Sequence, residues 1–311
     1  MGRHVIALDV GGTGMKAALV GPDGELLHEE RRPTGREHGP QAVVSAVLGF
    51  AEDLRAYGLR AFGEPAAAAG VAVPGIVDEG AGVAAYAANI GWRDVPLRAL
   101  LADRLDGTPV ALGHDVRVGG LAEGRLGAAR DAGRFLFVAL GTGIAGAFGT
   151  TEDDGRARVD ATELGHVVVR PGGLPCGCGQ RGCLETLASA SAVAKAWGGD
   201  AAGCARAVAA KDRRAAEVWD EAVAALADGL LTGLTLFTPE VLVVGGGLAE
   251  AGDTLFGPLR AAVERRVTFQ KLPSIVPAAL GDSAGCLGAA LLAWDLDWNL
   301  DNDNTTVEVT A

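Results

Sequence analysis

The stretch LGHVVVRPGGLPCGCGQRGCLE, residues 164–185, sets one histidine and three cysteines among closely spaced glycines and ends on a glutamate. It has neither the alternation of a half-buried strand nor the spacing of an amphipathic helix. His166, Cys176, Cys178 and Cys183 instead make a ligand set. Three thiolates and one imidazole suit tetrahedral Zn²⁺, and four protein ligands close its coordination sphere, so such an ion is structural. Gly177, Gly179 and Gly182 permit the sharp turns that bring the sulfurs together. The ion then organises a loop whose neighbours carry the chemistry. Glu163 precedes His166, and Glu185 follows Cys183 where a helical pattern (Leu184, Leu187, Ala188) begins. Fixed carboxylates and imidazole are good acceptors for sugar hydroxyls, whereas an untethered surface glutamate is ordinarily only a solvated charge. Free buried cysteines and a nucleic-acid-binding zinc ribbon weigh less, because the surroundings are not basic and offer no aromatic stacking platform.

The rest of the 311-residue chain fits that reading. Nearly half of it is apolar, enough for one large or two medium domains. A net charge of −12 argues against a nucleic-acid partner, since phosphate backbones need lysine and arginine to neutralise them. No apolar run reaches the length of a membrane span, and the N-terminus enters a strand-like run without a leader. The expectation is a soluble cytoplasmic protein. The five cysteines, an odd number without a secretory signal, favour metal over a disulfide framework.

Strands ending in glycines recur along the chain. VIALDV (residues 5–10) runs into a Gly turn, then MKAALVG, then a Pro-Asp-Gly turn and ELLHEERR. A helical pattern covers residues 41–57, and AAAAGVAVPG is a buried strand stopped at Pro74-Gly75. FLFVALGTG with IAGAFGT repeats the strand–turn–hairpin theme from Phe135, residues 214–237 read as a long helix, and EVLVVGGGLAEAG is a third strand opening a helix. The expectation is an α/β protein of two related lobes with a cleft between them. The lobes are placed at 1–114 and 115–284, with a helix over about 285–296 packing back on the first and a loose acidic tail over 297–311.

The turns are candidate phosphate cradles. In DVGGTGMK, two residues without Cβ (Gly11, Gly12) and a hydroxyl (Thr13) let backbone N–H groups approach an anion, and Asp9 at the strand end is placed to hold Mg²⁺ through water. Each turn alone is equally a plain hairpin. Gly141-Thr142-Gly143 and Gly245-Gly246-Gly247 are the second and third candidates, the last where nucleotides meet open α/β sheets. Neither a Walker A loop nor a dinucleotide fingerprint is present.

These motifs together resemble the ROK family of repressors and sugar kinases. DVGGTGMK, GTG, ELGH, CGCGQRGCLE and VVGGG stand in its order over nearly the whole chain, and NIGWRDVPL (residues 89–97) and FTPEVLVVGGGLAEAG (residues 237–252) look most like its bacterial ATP-dependent glucokinases. The resemblance implies a two-lobed, actin-like, hexokinase-like (ribonuclease H-like) ATPase fold with an interlobe cleft and a structural zinc loop. It implies ATP and Mg²⁺, a hexose phosphorylated at the 6-hydroxyl, most readily glucose, and a homodimer or homotetramer. It makes Asp115 the general base and Asn89, His114, Glu163, His166 and Glu185 the sugar contacts. Lys16 joins Asp9 and the three glycine turns as a nucleotide-site residue. On the residues alone, Asp115 after the VALGH strand is equally a helix N-cap.

Three departures mark this chain, one being that residues 150–166 lack the usual Gly two or three residues before Glu163. The family's Asn-Asp-Ala-Asn is His114-Asp115-Val116-Arg117 here, and the second turn continues through Ala145 and Ala147, where glycines are usual. The competing readings are an N-acetylhexosamine or N-acetylmannosamine kinase, a weakly active sugar-binding protein, and a sugar-responsive repressor. The repressor reading has no room for a helix-turn-helix segment before the first strand.

Overall fold

The computed structural model describes residues 3–152 and 156–308, and the chain divides into two units, residues 1–122 with 282–311 and residues 123–281. In the first, the run Val5–Val10 forms β1 and turns through Gly11-Gly12-Thr13 into β2 (Gly14–Val20), which pairs antiparallel with β3 (Leu26–Pro33). Pro40 opens α1 (Pro40–Phe62), where its missing N–H costs nothing, and Gly63 in the left-handed region closes it. The chain then enters β4 (Ala69–Val73), parallel to β1. A small antiparallel sheet follows: β5 (Ile76–Asp78), β6 (Val83–Ala87) and β7 (Trp92–Val95). Then come α2 (Leu97–Arg104), β8 (Val110–His114, parallel to β4) and α3 (Asp115–Arg125).

The main sheet runs β3-β2-β1-β4-β8, and strand alternation decides what covers each face. Ile6, Leu8, Val10, Val71 and Val73 pack with Val43, Val47 and Phe50 of α1 in one buried core. Gly70 is turned the other way, toward the C-terminal helix (Ala284–Glu308), where a Cβ would lie 1.8 Å from the Ala289 carbonyl oxygen. Full burial of each large apolar side chain in this core is worth about 1.5–3 kcal/mol.

The second unit repeats the plan. β9 (Arg134–Leu140) turns through Gly141-Thr142-Gly143 into β10 (Ile144–Thr151), which pairs antiparallel with β11 (Ala157–Thr162). The zinc-type loop follows, then α4 (Glu185–Ala188), α5 (Ala190–Trp197), α6 (Ala201–Ala209) and α7 (Arg213–Phe237). Asp200 and Asp212 cap α6 and α7 by accepting the Gly203 and Ala215 N–H groups. β12 (Val241–Gly245), α8 (Asp253–Glu264) and β13 (Ser274–Pro277) complete a sheet ordered β11-β10-β9-β12-β13, with β12 parallel to both neighbours. Trp219, Leu226, Leu230 and Leu234 of α7 enter its core with Leu136 and Val138.

Three sequence expectations are adjusted. The chain leaves the first unit after Ala122 rather than at 114/115, so α3 begins in the first unit and carries Asp115 there. The backbone of the C-terminal helix continues to Glu308, past the expected end near 296, and residues 309–311 of the acidic tail lie outside the described residues. Gly245-Gly246-Gly247 does not open an α-helix directly. A 3₁₀ segment, Gly247–Ala251, intervenes before α8.

Candidate functional site

In the first unit the sheet brings four chemically loaded segments together. The Gly11 N–H donates to the Gly14 carbonyl at 2.9 Å, closing the turn that follows Asp9. A Cβ on Gly12 would lie only 3.0 Å from Asn89 Nδ2, so the first glycine turn and the expected sugar contact Asn89 are neighbours. A groove of about 510 Å³ beside the turn is lined by Asp9, Gly11, Thr13, Lys16, Arg31 and Arg32. Burial pushes the Asp9 carboxyl up to about 6, partly offset by Lys16, while Asp115 and Asp282 add to the rise. A Cβ on Gly285 would sit 2.2 Å from Asp9 Oδ2, so only glycine lets the C-terminal helix start there. Lys16 is engaged by Asp282, through its carboxylate and through the backbone carbonyl at 2.9 Å, and Arg31 reaches the same carboxylate at 2.6 Å. A single Asp–Lys–Arg cluster therefore flanks the first glycine turn.

Asp115 is the first residue of α3, immediately past β8. Its Oδ1 accepts the Val116 N–H at 2.7 Å and lies 3.4 Å from His114 Nε2. Burial raises the Asp115 pKa, with the His114 ring pulling it back down. His114 Nδ1 is buried without a hydrogen-bond partner. Arg117, one turn into α3, does not stand free: its Nε and Nη2 donate to Glu79 Oε1 and Oε2 at 2.6 and 2.5 Å, and the His114 N–H reaches Glu79 Oε1 at 3.1 Å.

In the second unit, Gly141-Thr142-Gly143 is closed by the Gly141 N–H donating to the Gly143 carbonyl at 3.0 Å. Glu185 binds this turn: its Oε2 accepts the Ile144 N–H at 2.8 Å and stands where a Cβ on Gly143 would fall, 2.3 Å away. One of its oxygens is thus spent on the backbone. Ala147 is wholly buried inside the unit. A cavity of about 870 Å³, lined among others by Thr142, Cys176, Glu185, Ser189 and Lys195, adjoins the turn and falls in the size range of small-molecule sites.

The four ligand atoms of His166, Cys176, Cys178 and Cys183 all lie within 4.8 Å of one another. The Cys178–Cys183 sulfurs are 3.7 Å apart and His166 Nδ1 is 3.6 Å from Cys176 Sγ. Tetrahedral zinc with ordinary Zn–S and Zn–N bonds has edges of about 3.8 and 3.5 Å, so the donor set fits that ion and no disulfide is formed. A backbone hydrogen bond at Gln180 lowers the exposed Cys178 thiol to about 7, toward the thiolate a metal needs. His166 Nε2 points away from the sulfurs and lies 3.8 Å from the exposed Glu163 carboxylate. The ring therefore has one nitrogen for metal and one for an outside partner, the usual arrangement of a metal-bound histidine.

Glu79, Asp282 and Gly285 were missed by sequence reasoning. Glu79 stands in a plain turn far along the chain from Arg117, and nothing local marks it. Gly285, among small residues opening the last helix, is the one whose glycine offered a signal. Among the described residues, no helix is long and apolar enough to cross a membrane.

Comparison with known proteins follows the same lines. Residues 5–295 match the ROK family. A glucokinase of Thermotoga maritima is 35% identical over 92% of this chain and 96% of its own length. A ROK hexokinase of Thermus thermophilus superposes with a TM-score of 0.80 at 33% identity, covering 94% of this chain and 98% of that one. A ROK glucokinase of Streptomyces griseus, solved with glucose and AMPPNP, gives 0.76 at 26% identity over 94% and 99%. Matched to the family over residues 5–295 and to a relative 35% identical over 92% of its length, the chain belongs to the ROK family.

Proposed function

We propose that the chain is an ATP-dependent hexose kinase that phosphorylates glucose at the 6-hydroxyl, with Asp115 as general base. The observation that carries this is the placement of Asp115: a partly buried carboxylate with a raised pKa, at the end of β8, in electrostatic reach of Asp9 beside the Gly11-Gly12-Thr13 turn. Phosphoryl transfer asks the protein mainly to position an in-line hydroxyl and to stabilise phosphate charge. In this reading Asp115 takes the proton of the attacking hydroxyl. Gly11, Gly12, Thr13 and Lys16 serve the phosphates, as do Gly141, Thr142 and Gly143, while Gly245, Gly246 and Gly247 lie against the nucleotide. Asp9 is the carboxylate that would hold Mg²⁺ through water, and Mg²⁺ when bound supplies charge neutralisation on the phosphate oxygens.

Asn89, His114, Glu163, His166 and Glu185 are the proposed sugar contacts, His166 through Nε2 and Glu185 through the oxygen not given to Ile144. Zinc at His166, Cys176, Cys178 and Cys183 supplies only a fixed crosslink that holds Glu163 and Glu185. A cytoplasmic location and assembly as a homodimer or homotetramer belong to the same reading.

The test is a coupled assay with Mg·ATP against glucose, mannose, N-acetylmannosamine and N-acetylglucosamine. The expected result is the highest kcat/KM on glucose. Turnover confined to an N-acetylated sugar would move the substrate to the amino sugars. No turnover on any of the four would replace the kinase by a sugar-binding protein.

A further inference from the structure

Arg117 stands where the family has an asparagine, and its guanidinium is turned onto Glu79 rather than left to a ligand. The two form a forked, charge-assisted pair, the strongest class of side-chain hydrogen bonding. Glu79 does more than pair with Arg117. The Oε1 that receives Arg117 Nε also accepts the His114 backbone N–H, so one carboxylate holds the residue before Asp115 and the residue two after it.

The loop that delivers Glu79 is itself braced. Asp78 Oδ1 accepts the Ala81 N–H at 2.8 Å, and the Gly82 N–H donates to the Asp78 carbonyl at 2.8 Å. Arg98 of α2 donates to the carbonyls of Glu79 and of Gly80, the latter at 3.1 Å. Gly82, at φ +72°, leaves the space for it, since a Cβ there would fall 2.5 Å from Arg98 Cβ. A fixed chain of contacts thus runs from α2 through the β5–β6 loop to the first turn of α3.

We propose that Glu79 and Arg117 form a positioning clasp that sets the first turn of α3, and with it the Asp115 carboxylate, in the orientation needed for proton abstraction. The proposal rests on the reading of Asp115 as the base. The clasp removes Arg117 from the substrate: two of its three nitrogens are committed to Glu79. It also neutralises Glu79, so the acceptor that pins the His114 N–H adds no net charge next to the base. An acceptor is needed at this position, because only an acceptor can take the His114 N–H.

The experiment compares the purified full chain as Asp115→Asn, Glu79→Ala, Glu79→Gln, Arg117→Met, Arg117→Lys and the double variant Glu79→Ala/Arg117→Met. It measures kcat, both KM values and Tm. Misplacement of a reacting group by about 1 Å costs on the order of 10²-fold, so Glu79→Ala and Arg117→Met should each lower kcat by roughly 10–100-fold with both KM values within about threefold. The double variant should be no worse than the poorer single one, because both remove the same clasp. Glu79→Gln, which keeps an acceptor for the His114 N–H, should recover much of kcat, and Arg117→Lys, without the fork, should recover less. Parent-like kcat in Glu79→Ala and Arg117→Met, or additive losses in the double variant, would overturn the clasp. So would a raised KM for Mg·ATP in Arg117→Met with Glu79→Ala unimpaired, which would make Arg117 a phosphate contact. Asp115→Asn separates the two levels. If it is inactive while the clasp variants are parent-like, only the clasp fails; if it keeps parent activity, the base assignment itself fails.

Discussion

The two sheets share one plan and differ in what they place at the same turn. β3-β2-β1-β4-β8 and β11-β10-β9-β12-β13 have the same order and the same pattern of parallel and antiparallel pairing. In the first, the pair one step back from the turn is Asp9 and Lys16; in the second it is Ala139 and Ala145. The first turn therefore carries its own charges, with Asp282 and Arg31 joining from elsewhere. The second is electrically blank and receives a carboxylate from outside, Glu185, which its backbone grips at Ile144. A duplicated scaffold has been specialised: one copy holds charged groups of its own, and the other holds one presented from beside the Cys₃His loop.

That contrast is open to direct attack. The largest effect is expected from Asp115→Asn, which should lower kcat by about 10²–10⁴-fold with sugar binding and zinc content nearly intact, checked by steady-state kinetics and metal analysis. Next is Cys178→Ser in the other unit. Loss of one of four zinc ligands should empty the loop, measured as zinc per chain, and raise the sugar KM about tenfold, in the range usual when a metal site loses its supporting groups. Unchanged sugar KM in a zinc-free variant would show that the loop does not position Glu163 and Glu185.

Smaller effects follow within the turns. Gly143→Ala should push Glu185 off the Ile144 N–H and lower Tm by several degrees, corresponding to about 1–3 kcal/mol for a disturbed buried contact. Gly141→Ala, whose new methyl would meet nothing within 4 Å, should cost much less. The last is a pH-dependent effect and concerns Asp9. Its carboxyl titrates near 6 in the folded chain against an ordinary value of 3.8, so the native state holds the proton more tightly than the unfolded one. Stability from this group is therefore present at low pH and is lost as pH rises through that window. Asp9→Asn should match the parent in stability at pH 4 and exceed it at pH 8 by at most about 3 kcal/mol, measured by denaturant melts at both values, even as activity collapses.

Much of this was legible in the residues. Alternation and glycine stops placed β1, β2, β4, β9, β10 and β12, because a strand buried on both faces leaves a long apolar run. The Cys₃His cluster was legible because its ligands are close in sequence and chemically unmistakable. What was not legible depended on contacts across distance. Arg117 reads only as a departure from the family's asparagine until Glu79, 38 residues away, is seen to hold it. Lys16 reads as a nucleotide-site residue, but nothing near it in sequence marks Asp282, 266 residues away, as its ion-pair partner. The unit boundary was misplaced because the sequence marks where α3 begins, at the strand end, and not where in that helix packing partners change.

The close approach of Gly70 to Ala289 has a consequence for biosynthesis. The face of the first sheet turned away from α1 is covered by a helix made after the second unit, whereas residues 123–281 form one uninterrupted piece. As the polypeptide leaves the ribosome, the middle piece has every strand it needs while the leading strands still lack their lid. A chain terminated near residue 280 would accordingly emerge with one finished half and one adhesive, chaperone-dependent half.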